Sequence, residues 1–583
     1  MSSTAAGNRA FFNQLKKYYL FYTGGFITFV IVLAILEQMG LPRAWIGYTF
    51  LFATIALYAG IGIMSRTADV AEYYVAGRRV PALFNGMATG ADWMSAASFI
   101  GMAGTLYLSG FDGLGFVMGW TGGYVLVALL LAPYLRKFGQ FTIPDFLGAR
   151  YGGNIPRALG IFAAILCSFT YVVAQIYGVG IITSRFTGVE FGIGVFLGLA
   201  GILVCSFLGG MRAVTWTQVA QYIILIIAYM IPVVWLSVKI TGIPVPQLVY
   251  GKVLQQVQAK GGELRSAPAE LQVLDIFKQR AAEAKARIDA LPGSWESGRA
   301  AALKKAEELK AANASVTDIR AAEKAIADFP KSADDARKAW QAQVASNTAR
   351  SSPGFQHGTP YPTNKTGEAG EKERDTKRLN FLALVFCMMF GTAALPHILM
   401  RYYTTPSVQQ ARQSVFWSLV FIFLLYFTAP ALAVLVKYEV FFTVVGSSFS
   451  ALPPWVAAWS KIDPALLSIV DINKDGIVQL AEIAIGGDII VLATPEIAGL
   501  PYVISGLVAA GGLAAALSTA DGLLLTIANA LSHDLYYKMI NPNAATQKRV
   551  MISKILLLVV AVFAAYVTSL KPGNILFLVG AAF

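Results

Sequence analysis

Eleven apolar runs, each long enough to cross about 30 Å of hydrocarbon as a helix, dominate this sequence. They lie near residues 20–36, 44–63, 82–109, 113–135, 158–184, 191–209, 213–238, 380–400, 413–437, 498–531 and 549–569. A twelfth run begins near Asn574 and reaches only Phe583, which is too short to cross, so we expect the chain to be truncated there. Lipid offers the backbone no hydrogen-bond partners, so such runs form helices. The sequence therefore predicts an all-α polytopic membrane protein.

The distribution of charge separates the membrane part from one large soluble insert, residues 241–379. Hydrophobic residues make up 56% of the chain and charged residues 14%, against about 25% in a typical soluble protein. The insert holds 22 of the 46 Lys and Arg and 17 of the 33 Asp and Glu. Most other basic residues flank apolar runs. We therefore expect neither a soluble enzyme nor a nucleic-acid partner, despite a net charge of +13.

Basic residues also predict the orientation in the membrane. With a cytoplasmic N-terminus, the cytoplasmic tail and loops carry 16 Lys and Arg, Arg401 among them, whereas the short outer loops carry three. The positive-inside rule favours this orientation, and a bacterial inner membrane is the expected location. It puts the insert and residues 438–497 outside.

The insert has the composition of soluble helices. Glu270–Leu291 and Glu296–Asn313 are rich in Ala, Lys, Glu and Arg, and Ser315–Asp318 and Ser332–Asp335 match capping boxes before further helices. Its tail, Ser351–Thr376, is typical of a flexible linker. The insert could serve as a solvated spacer or as a docking surface for a partner such as a small membrane subunit.

Two of the acidic residues fall well inside apolar spans, where ionisable groups are costly and mark functional sites. Asp92 follows Ala88-Thr-Gly-Ala, and Asp521 follows Leu517-Ser-Thr-Ala, so small residues interrupt both helices. Unwound helices free carbonyl oxygens, and paired hydroxyls such as those of Ser518 and Thr519 complete the oxygen set that a sodium ion needs. The alternative is that these hydroxyls only bond carbonyls at close helix crossings.

A third irregular helix contains one of the three histidines of the chain. In Phe390-Gly-Thr-Ala-Ala-Leu-Pro-His397, the proline frees a carbonyl group, and His397 could donate to a substrate or to that carbonyl. A purely structural role of His397 is the alternative.

Residues 471–482 match the twelve-residue calcium-binding loop. Glycine stands at the sharp turn, position six, and a glutamate able to bind bidentately stands at position twelve. The expected ligands are Asp471, Asn473, Asp475, the carbonyl of Ile477, Gln479 and Glu482. The alternative is an Asx-rich turn without metal. Motifs of enzymes are absent from the sequence: we find no nucleophile elbow, P-loop, metal-binding histidine pair or dinucleotide fingerprint, and expect no enzymatic activity.

Several stretches resemble the sodium:solute symporter family, and most closely its cation/acetate symporter branch. The stretches are Glu72-Tyr-Tyr-Val-Ala-Gly-Arg78, Asp92-Trp-Met-Ser-Ala-Ala-Ser98, Gly209-Gly-Met-Arg-Ala-Val-Thr-Trp216, Met389-Phe-Gly-Thr-Ala-Ala-Leu-Pro-His-Ile-Leu-Met-Arg401 and Ser532-His-Asp-Leu-Tyr536. The resemblance implies an inverted five-plus-five helix repeat, whose two broken first helices meet near the bilayer midplane. The expected parts are residues 1–81 with two extra helices, 82–240 as first repeat, 241–379 as insert, and 380–583 as second repeat.

The resemblance also implies site residues, carried over position by position. The sodium ligands would be the carbonyls of Ala91, Met94 and Ala515 and the hydroxyls of Ser518 and Thr519. Asp92 and Asp521 would tune the charge near the ion, or Asp521 could carry a proton. The substrate pocket would be lined by Trp93, Ser95, Thr392 and His397. Gln218 replaces an aspartate of many relatives, so we do not expect a second sodium there.

The function that follows is sodium-coupled import of a small monocarboxylate such as acetate by alternating access. A proline-like amino acid is the alternative substrate within the same class. A membrane nutrient sensor built on a symporter-like domain is the alternative from another class.

Overall fold

The computed structural model describes the backbone of residues 2–583 and the side chains of residues 10–201, 203 and 206–583. Its α-helices are α1 Ser2–Gln38, α2 Arg43–Met64, α3 Val70–Val75, α4 Ala82–Trp93, α5 Met102–Ser109, α6 Leu114–Leu126, α7 Ala132–Phe138, α8 Ile143–Tyr151, α9 Asn154–Thr187, α10 Phe191–Thr241, α11 Pro246–Ser266, α12 Pro268–Asp289, α13 Gly293–Ala311, α14 Val316–Ala327, α15 Ala333–Arg350, α16 Gly367–Ala393, α17 Pro396–Met400, α18 Val408–Tyr426, α19 Ala429–Glu439, α20 Pro454–Ser460, α21 Ile490–Ile497, α22 Tyr502–Asn529, α23 Thr546–Ser569 and α24 Ile575–Ala582. Two short strands, β1 Leu467–Ile469 and β2 Ile483–Ile485, pair antiparallel. The predicted all-α polytopic fold is confirmed.

Nine helices among the described residues are long and apolar enough to cross a membrane, against eleven predicted spans. The predicted spans 82–109 and 113–135 correspond to one continuous stretch, Ala97–Phe138, and the predicted spans 191–209 and 213–238 both lie within α10. The first difference arises because only a 3-10 turn, Gly110–Gly113, separates α5 from α6. The predicted boundary between residues 209 and 213 corresponds to Gly210, where φ is 54° and the long helix α10 is broken. A side chain there would meet the Tyr73 carbonyl oxygen at 2.6 Å, so only glycine fits.

Two of the three helices that the sequence predicted to be interrupted are broken; the predicted interruption at Asp521 is wrong, because α22 runs through it as a continuous helix. α4 ends at Trp93, Met94 has a non-helical ψ of 62°, and a π-helical turn follows at Ala97–Gly101 before α5. In the second half, α16 ends at Ala393 and α17 begins at Pro396. Proline has no N–H and cannot continue a helix, which explains the second break. The first break lies just after Asp92, next to the small residues Ala88-Thr-Gly-Ala.

α22 is the central helix of the membrane part. In its spanning stretch, Tyr502–Ile540, 94% of the most apolar 18-residue segment is buried within the protein. It packs against α4, α9 and α10. Small residues at positions 509–512 allow this close packing. The hydroxyl pair Ser518 and Thr519 therefore faces other helices rather than lipid.

The insert forms helices α11 to α15, close to the predicted bounds. Ser315 and Ser332 each accept a hydrogen bond from the N–H three residues on, at 3.1 Å, as the capping pattern predicted. α11 packs on α19 of the membrane part, and α12 packs on α15. The following segment has little regular structure as far as Thr366, and α16 then begins at Gly367, earlier than the predicted span at 380.

Candidate functional site

The oxygen atoms expected to bind sodium lie together between α4 and α22. The Ser518 hydroxyl donates to the Ala91 carbonyl at 2.8 Å and to the Ala515 carbonyl at 2.9 Å. The Thr519 hydroxyl donates to the Asp92 carbonyl at 2.8 Å. All five residues are 0% exposed. The sequence predicted four of these five oxygen atoms as sodium ligands and did not predict the carbonyl oxygen of Asp92.

Met94, the fifth residue expected there, is also buried at the break, and its N–H donates to the Gly90 carbonyl at 2.9 Å. Gln218 lies on the other side of Ser518, where its amide donates to the Ser518 carbonyl at 2.7 Å. The possible metal ligands in this cluster are all oxygen atoms, and none is a thiol or an imidazole nitrogen. An alkali cation requires ligands of this kind. The residues present therefore fit a sodium ion.

A fully buried ion pair joins the two broken helices. Arg401 Nε donates to Asp92 Oδ2 at 2.9 Å, and both side chains are 0% exposed. Arg401 Nη1 also contacts the Thr215 hydroxyl at 3.1 Å. The prediction that Arg401 lies in a cytoplasmic loop is therefore wrong. Its position four residues after His397 in an apolar run was the signal that could have identified it.

Asp521 has a hydroxyl as its hydrogen-bond partner. Ser206 donates to Asp521 Oδ1 at 2.5 Å. Gly522 lies next to it, and a side chain there would meet Asp92 Oδ1 at 2.7 Å, so glycine allows the two carboxylate regions to approach. Two carboxyl groups and one guanidinium thus share this core. If both carboxyl groups are ionised, one negative charge remains for a bound cation to balance.

A small enclosed pocket lies beside this cluster. Its lining includes Asp92, Trp93, Ser98, Trp120, Tyr171, Thr392, His397 and Tyr426, and Phe583 closes one side. The space open to the centre of a water molecule is ≈ 10 Å³, about enough for one water. Three of the four predicted substrate residues line the pocket. Ser95 is buried nearby but does not line it.

The pocket contains hydrogen-bond donors that the protein leaves unused. Among the described side chains, both ring nitrogens of His397 and the indole N–H groups of Trp93 and Trp120 are buried without a partner. The Thr392 hydroxyl, in contrast, donates to its own helix at Met388. A buried donor without an acceptor costs about 1–3 kcal/mol. Such a pocket favours a ligand that brings acceptor oxygens.

Sequence reasoning missed the aromatic half of this pocket. Trp120 and Tyr426 are 2% and 3% exposed, and Tyr171 is 4% exposed. Each stands in a run of apolar residues, where an aromatic that faces the pocket looks the same as one that faces lipid. Their places on α6, α18 and α9 are set by long-range packing.

The calcium-like loop has the turns that the motif requires. Lys474 and Gly476 have φ values of 61° and 76°. The Gly476 N–H donates to Asp471 Oδ2 at 3.0 Å. Glu482 is 0% exposed, and its carboxylate accepts the N–H groups of Ile472 and Gln479 at 2.6 and 3.0 Å. The remaining expected ligands, Asn473, Asp475 and Ile477, lie on the exposed side of the turn.

Two oxygen atoms of the loop have no partner in the part of the chain that the structure describes. They are Asp471 Oδ1 and Gln479 Oε1, and Gln479 is only 6% exposed. Burial, opposed by backbone hydrogen bonds and reinforced by the Asp471 charge, raises the pKa of Glu482. A cation in the loop would bind the unpaired oxygens and offset the repulsion between Asp471 and Glu482.

A further polar cluster joins α8 to the end of the α22 stretch. His533 Nε2 lies 3.3 Å from Asp145 Oδ2, and the Thr142 hydroxyl donates to both oxygens of Asp534 at 2.8 Å. Arg549 contacts His533 Nδ1 at 3.0 Å. Protein donors already occupy these groups, so a structural role in holding the helix ends explains them.

Comparison with known proteins identifies relatives of the chain. The model of the sodium:solute symporter family matches residues 73–278 and 479–583. An uncharacterized symporter of Cupriavidus necator is 57% identical over 579 residues, which are 98% of this chain and 84% of that protein. A monocarboxylic acid transporter of Corynebacterium glutamicum is 24% identical over 556 residues, 94% of this chain and 78% of that protein.

A solved structure shares the fold. It shows a Na+-coupled sialic acid symporter in a substrate-bound, outward-open state, with a TM-score of 0.52 and 14% sequence identity. The match covers 90% of this chain and 82% of that one. At this identity the likeness concerns the fold alone.

The buried ion pair gives a testable prediction about stability. Asp92→Asn leaves the Arg401 guanidinium buried without a carboxylate, so the free energy of unfolding falls by about 3–5 kcal/mol. Thermal unfolding of the purified protein in detergent measures the change. Arg401→Met in the same chain restores much of the loss, since it removes the unpaired charge.

The matched control is Glu308→Gln, which removes one member of the exposed pair between Lys304 and Glu308. We expect little change there, because exposed ion pairs contribute little. Equal melting temperatures for Asp92→Asn and the control would contradict the importance of the buried pair.

Proposed function

The chain belongs to the sodium:solute symporter family, and from that premise we propose that it imports a small monocarboxylate such as acetate together with sodium. One observation carries the proposal: a cluster of buried hard oxygens lies beside a small pocket with unused hydrogen-bond donors. Both lie at the breaks of α4 and of the α16–α17 helix. The coupled substrates would then bind side by side, where each alters the affinity for the other.

The sodium site comprises the carbonyls of Ala91, Asp92 and Ala515 and the hydroxyls of Ser518 and Thr519, with Met94 completing the break. In the described structure the two hydroxyls donate to these carbonyls. When sodium binds, the hydroxyl protons turn away and their lone pairs face the ion. The negative charge shared by Asp92 and Asp521 balances it. Sodium thereby fixes α4 against α22.

The substrate site is the pocket next to it. A carboxylate has two acceptor oxygens, which suit the ring of His397 and the indole N–H groups of Trp93 and Trp120. The surrounding aromatic rings suit a short apolar tail. The similarity to a monocarboxylic acid transporter agrees with this class.

Alternating access follows from the position of both sites at helix breaks. Binding of sodium raises the affinity for the carboxylate, and by linkage the carboxylate raises the affinity for sodium by the same factor. We place the N-terminus in the cytoplasm and the insert outside a bacterial inner membrane, because the loops on the N-terminal side carry most of the basic residues.

The decisive experiment is uptake of labelled acetate into proteoliposomes with and without an inward sodium gradient. Sodium-driven accumulation that other short carboxylates inhibit is the expected result. Accumulation of proline instead of acetate would move the substrate to amino acids. Sodium binding without uptake of either substrate would favour a membrane sensor.

We predict that Ser518→Ala combined with Thr519→Ala raises the sodium concentration for half-maximal uptake by roughly tenfold or more. Each hydroxyl lost removes an oxygen ligand of a charged group, worth about 1.5–3 kcal/mol. Sodium titration of acetate uptake measures the shift. The control is Thr526→Ala on the same helix, whose hydroxyl donates to the Gly522 carbonyl at 2.8 Å. An unchanged sodium dependence in the double variant would remove the site assignment.

For the substrate pocket, His397→Phe keeps an aromatic ring of similar size and removes both nitrogens. The KM for acetate should rise roughly tenfold or more, since a hydrogen bond to a charged group contributes about 1.5–3 kcal/mol. Uptake kinetics at saturating sodium provide the measurement. Trp235→Phe, a change of a half-exposed aromatic on α10, serves as control. A KM equal to that of the parent protein would exclude His397 from substrate binding.

We also propose that the loop 471–482 binds calcium as a structural ion. The unpaired oxygens of Asp471 and Gln479 and the buried carboxylate of Glu482 support this. The loop lies outside the proposed transport pocket. Calcium would therefore stabilise the outer region and would not take part in transport.

Glu482→Gln removes the bidentate anionic ligand, so calcium affinity should fall by roughly tenfold or more. Calorimetric titration of the purified chain measures this affinity. Asp463→Asn is the control, because this neighbouring carboxylate pairs with Lys571 at 2.6 Å outside the loop. Absence of calcium binding by the parent protein would disprove the proposal, whereas acetate uptake should persist in Glu482→Gln.

A further inference from the structure

A second cavity lies outside the membrane, where the insert meets the outer ends of the core helices. Its volume is ≈ 400 Å³, large enough for a small organic ion with water. Tyr107 of α5, Arg265 of α11, Glu270 of α12 and Lys437 of α19 line it, together with Arg350 at the end of α15. The cavity thus touches the outer half of the helix that breaks at Met94.

Cationic groups dominate this outer cavity. Three of the lining side chains are basic, and Glu270 is the acidic one. Glu270 is 3% exposed, and its carboxylate accepts the Ala481 N–H at 3.1 Å. The cavity therefore carries a net positive charge.

The three basic side chains use neutral acceptors. Arg265 Nη2 donates to the Phe355 carbonyl at 2.9 Å, and Arg350 Nη2 donates to the Ala481 carbonyl at 2.7 Å. Lys437 Nζ contacts His357 Nδ1 at 3.1 Å. Burial and the charge of Lys437 lower the pKa of His357 to about 3, so this ring is neutral at physiological pH.

Arg265 is short of partners, whereas Lys437 already contacts His357. Arg265 Nε and Nη1 are buried without an acceptor among the described residues. Lys437 is only 8% exposed, and its ammonium group lies 4.9 Å from the centre of the Tyr107 ring. These two groups lie on different edges of the guanidinium, and each can donate to an oxygen of a bound anion. An anion between these groups would satisfy both.

The rest of the lining selects among anions. Tyr107, Leu274, Phe441 and Ile483 contribute apolar surface to the same cavity. An inorganic phosphate would lose hydration against these side chains, whereas the short tail of a monocarboxylate would be buried there. The combination of an unpaired guanidinium and apolar walls is that of a pocket for a small organic acid.

We propose that the outer cavity is a second binding site for small monocarboxylates, which Arg265 and Lys437 hold outside the membrane before the anion reaches the pocket at the helix breaks. The choice of ligand rests on the proposed function. The site itself rests on the cavity, its charge and its unused donors. Since α5 forms one wall, the anion is held at one end of α5, and the other end of α5 continues the π-helical turn whose Ser98 lines the transport pocket.

The test is saturation-transfer NMR of acetate with the purified full chain in detergent, in sodium-free buffer. Ser518→Ala and Thr519→Ala are present in every sample to suppress binding at the transport pocket. We expect a saturable acetate signal that Arg265→Gln reduces at least about fivefold. Arg265→Lys, which keeps the charge, should retain part of the signal. The matched control is Arg320→Gln, the same change at an exposed position of α14 in the insert.

Two results would overturn the inference. One is an acetate signal of parental size in Arg265→Gln. The other is complete displacement of acetate by an equal concentration of inorganic phosphate, which would mark a general anion site. Thermal unfolding of Arg265→Gln shows whether a lost signal reflects a misfolded protein, and retained signal in Lys437→Gln would equally contradict the proposal.

Uptake measurements separate this inference from the proposed transport function. In proteoliposomes, Arg265→Gln should raise the KM for acetate several-fold and leave the maximal rate unchanged. If the parent protein does not transport acetate but still binds it in sodium-free buffer through Arg265, the transport proposal fails and the outer site stands. If Arg265→Gln shows a normal KM together with normal sodium-driven uptake, the outer site fails and the transport proposal stands.

Discussion

A helix that unwinds inside a membrane must find partners for its freed backbone groups, because lipid supplies none. Here α22 and α9 supply them: Ser518 and Thr519 bind the carbonyls of Ala91 and Asp92, and Gln175 accepts the Ala96 N–H at 2.8 Å. The hydroxyls that stabilise the break are also the proposed sodium ligands. In the proposed function, the ion would therefore act on the contact that holds the broken helix next to the pocket.

The ion pair between Asp92 and Arg401 links the two halves of the fold at the same level. Each charge alone would be costly where neither side chain reaches water, and the attraction and hydrogen bond between the two offset that cost. Asp521 adds a second carboxyl group with a hydroxyl partner. The balance of charge thus depends on whether a cation is present. In the proposed function, sodium and the ion pair would together determine how α4, α17 and α22 pack.

The membrane architecture could be predicted from the sequence because span length and the rarity of buried charge follow from the properties of the bilayer. The hydroxyl pair and His397 could be identified as candidate site residues because polar side chains stand out within apolar spans. Arg401 was misassigned to a loop, since its position next to the end of an apolar run resembles a flanking basic residue. Trp120 and Tyr171 could not be found, because the choice between pocket and lipid depends on packing between distant helices.

The outer region shows why an insert can matter to a transporter without entering the membrane. Arg350 and Glu270 bind the carbonyl and N–H of Ala481, one residue before Glu482 of the calcium-like loop. Beside burial, the charge of Glu482 acts on the pKa of both Glu270 and Arg350. A calcium ion at Glu482 would offset that negative charge and make the outer cavity more positive. Under the proposed calcium binding and anion capture, the insert, the loop and the cavity would act as one electrostatic unit at the end of α5.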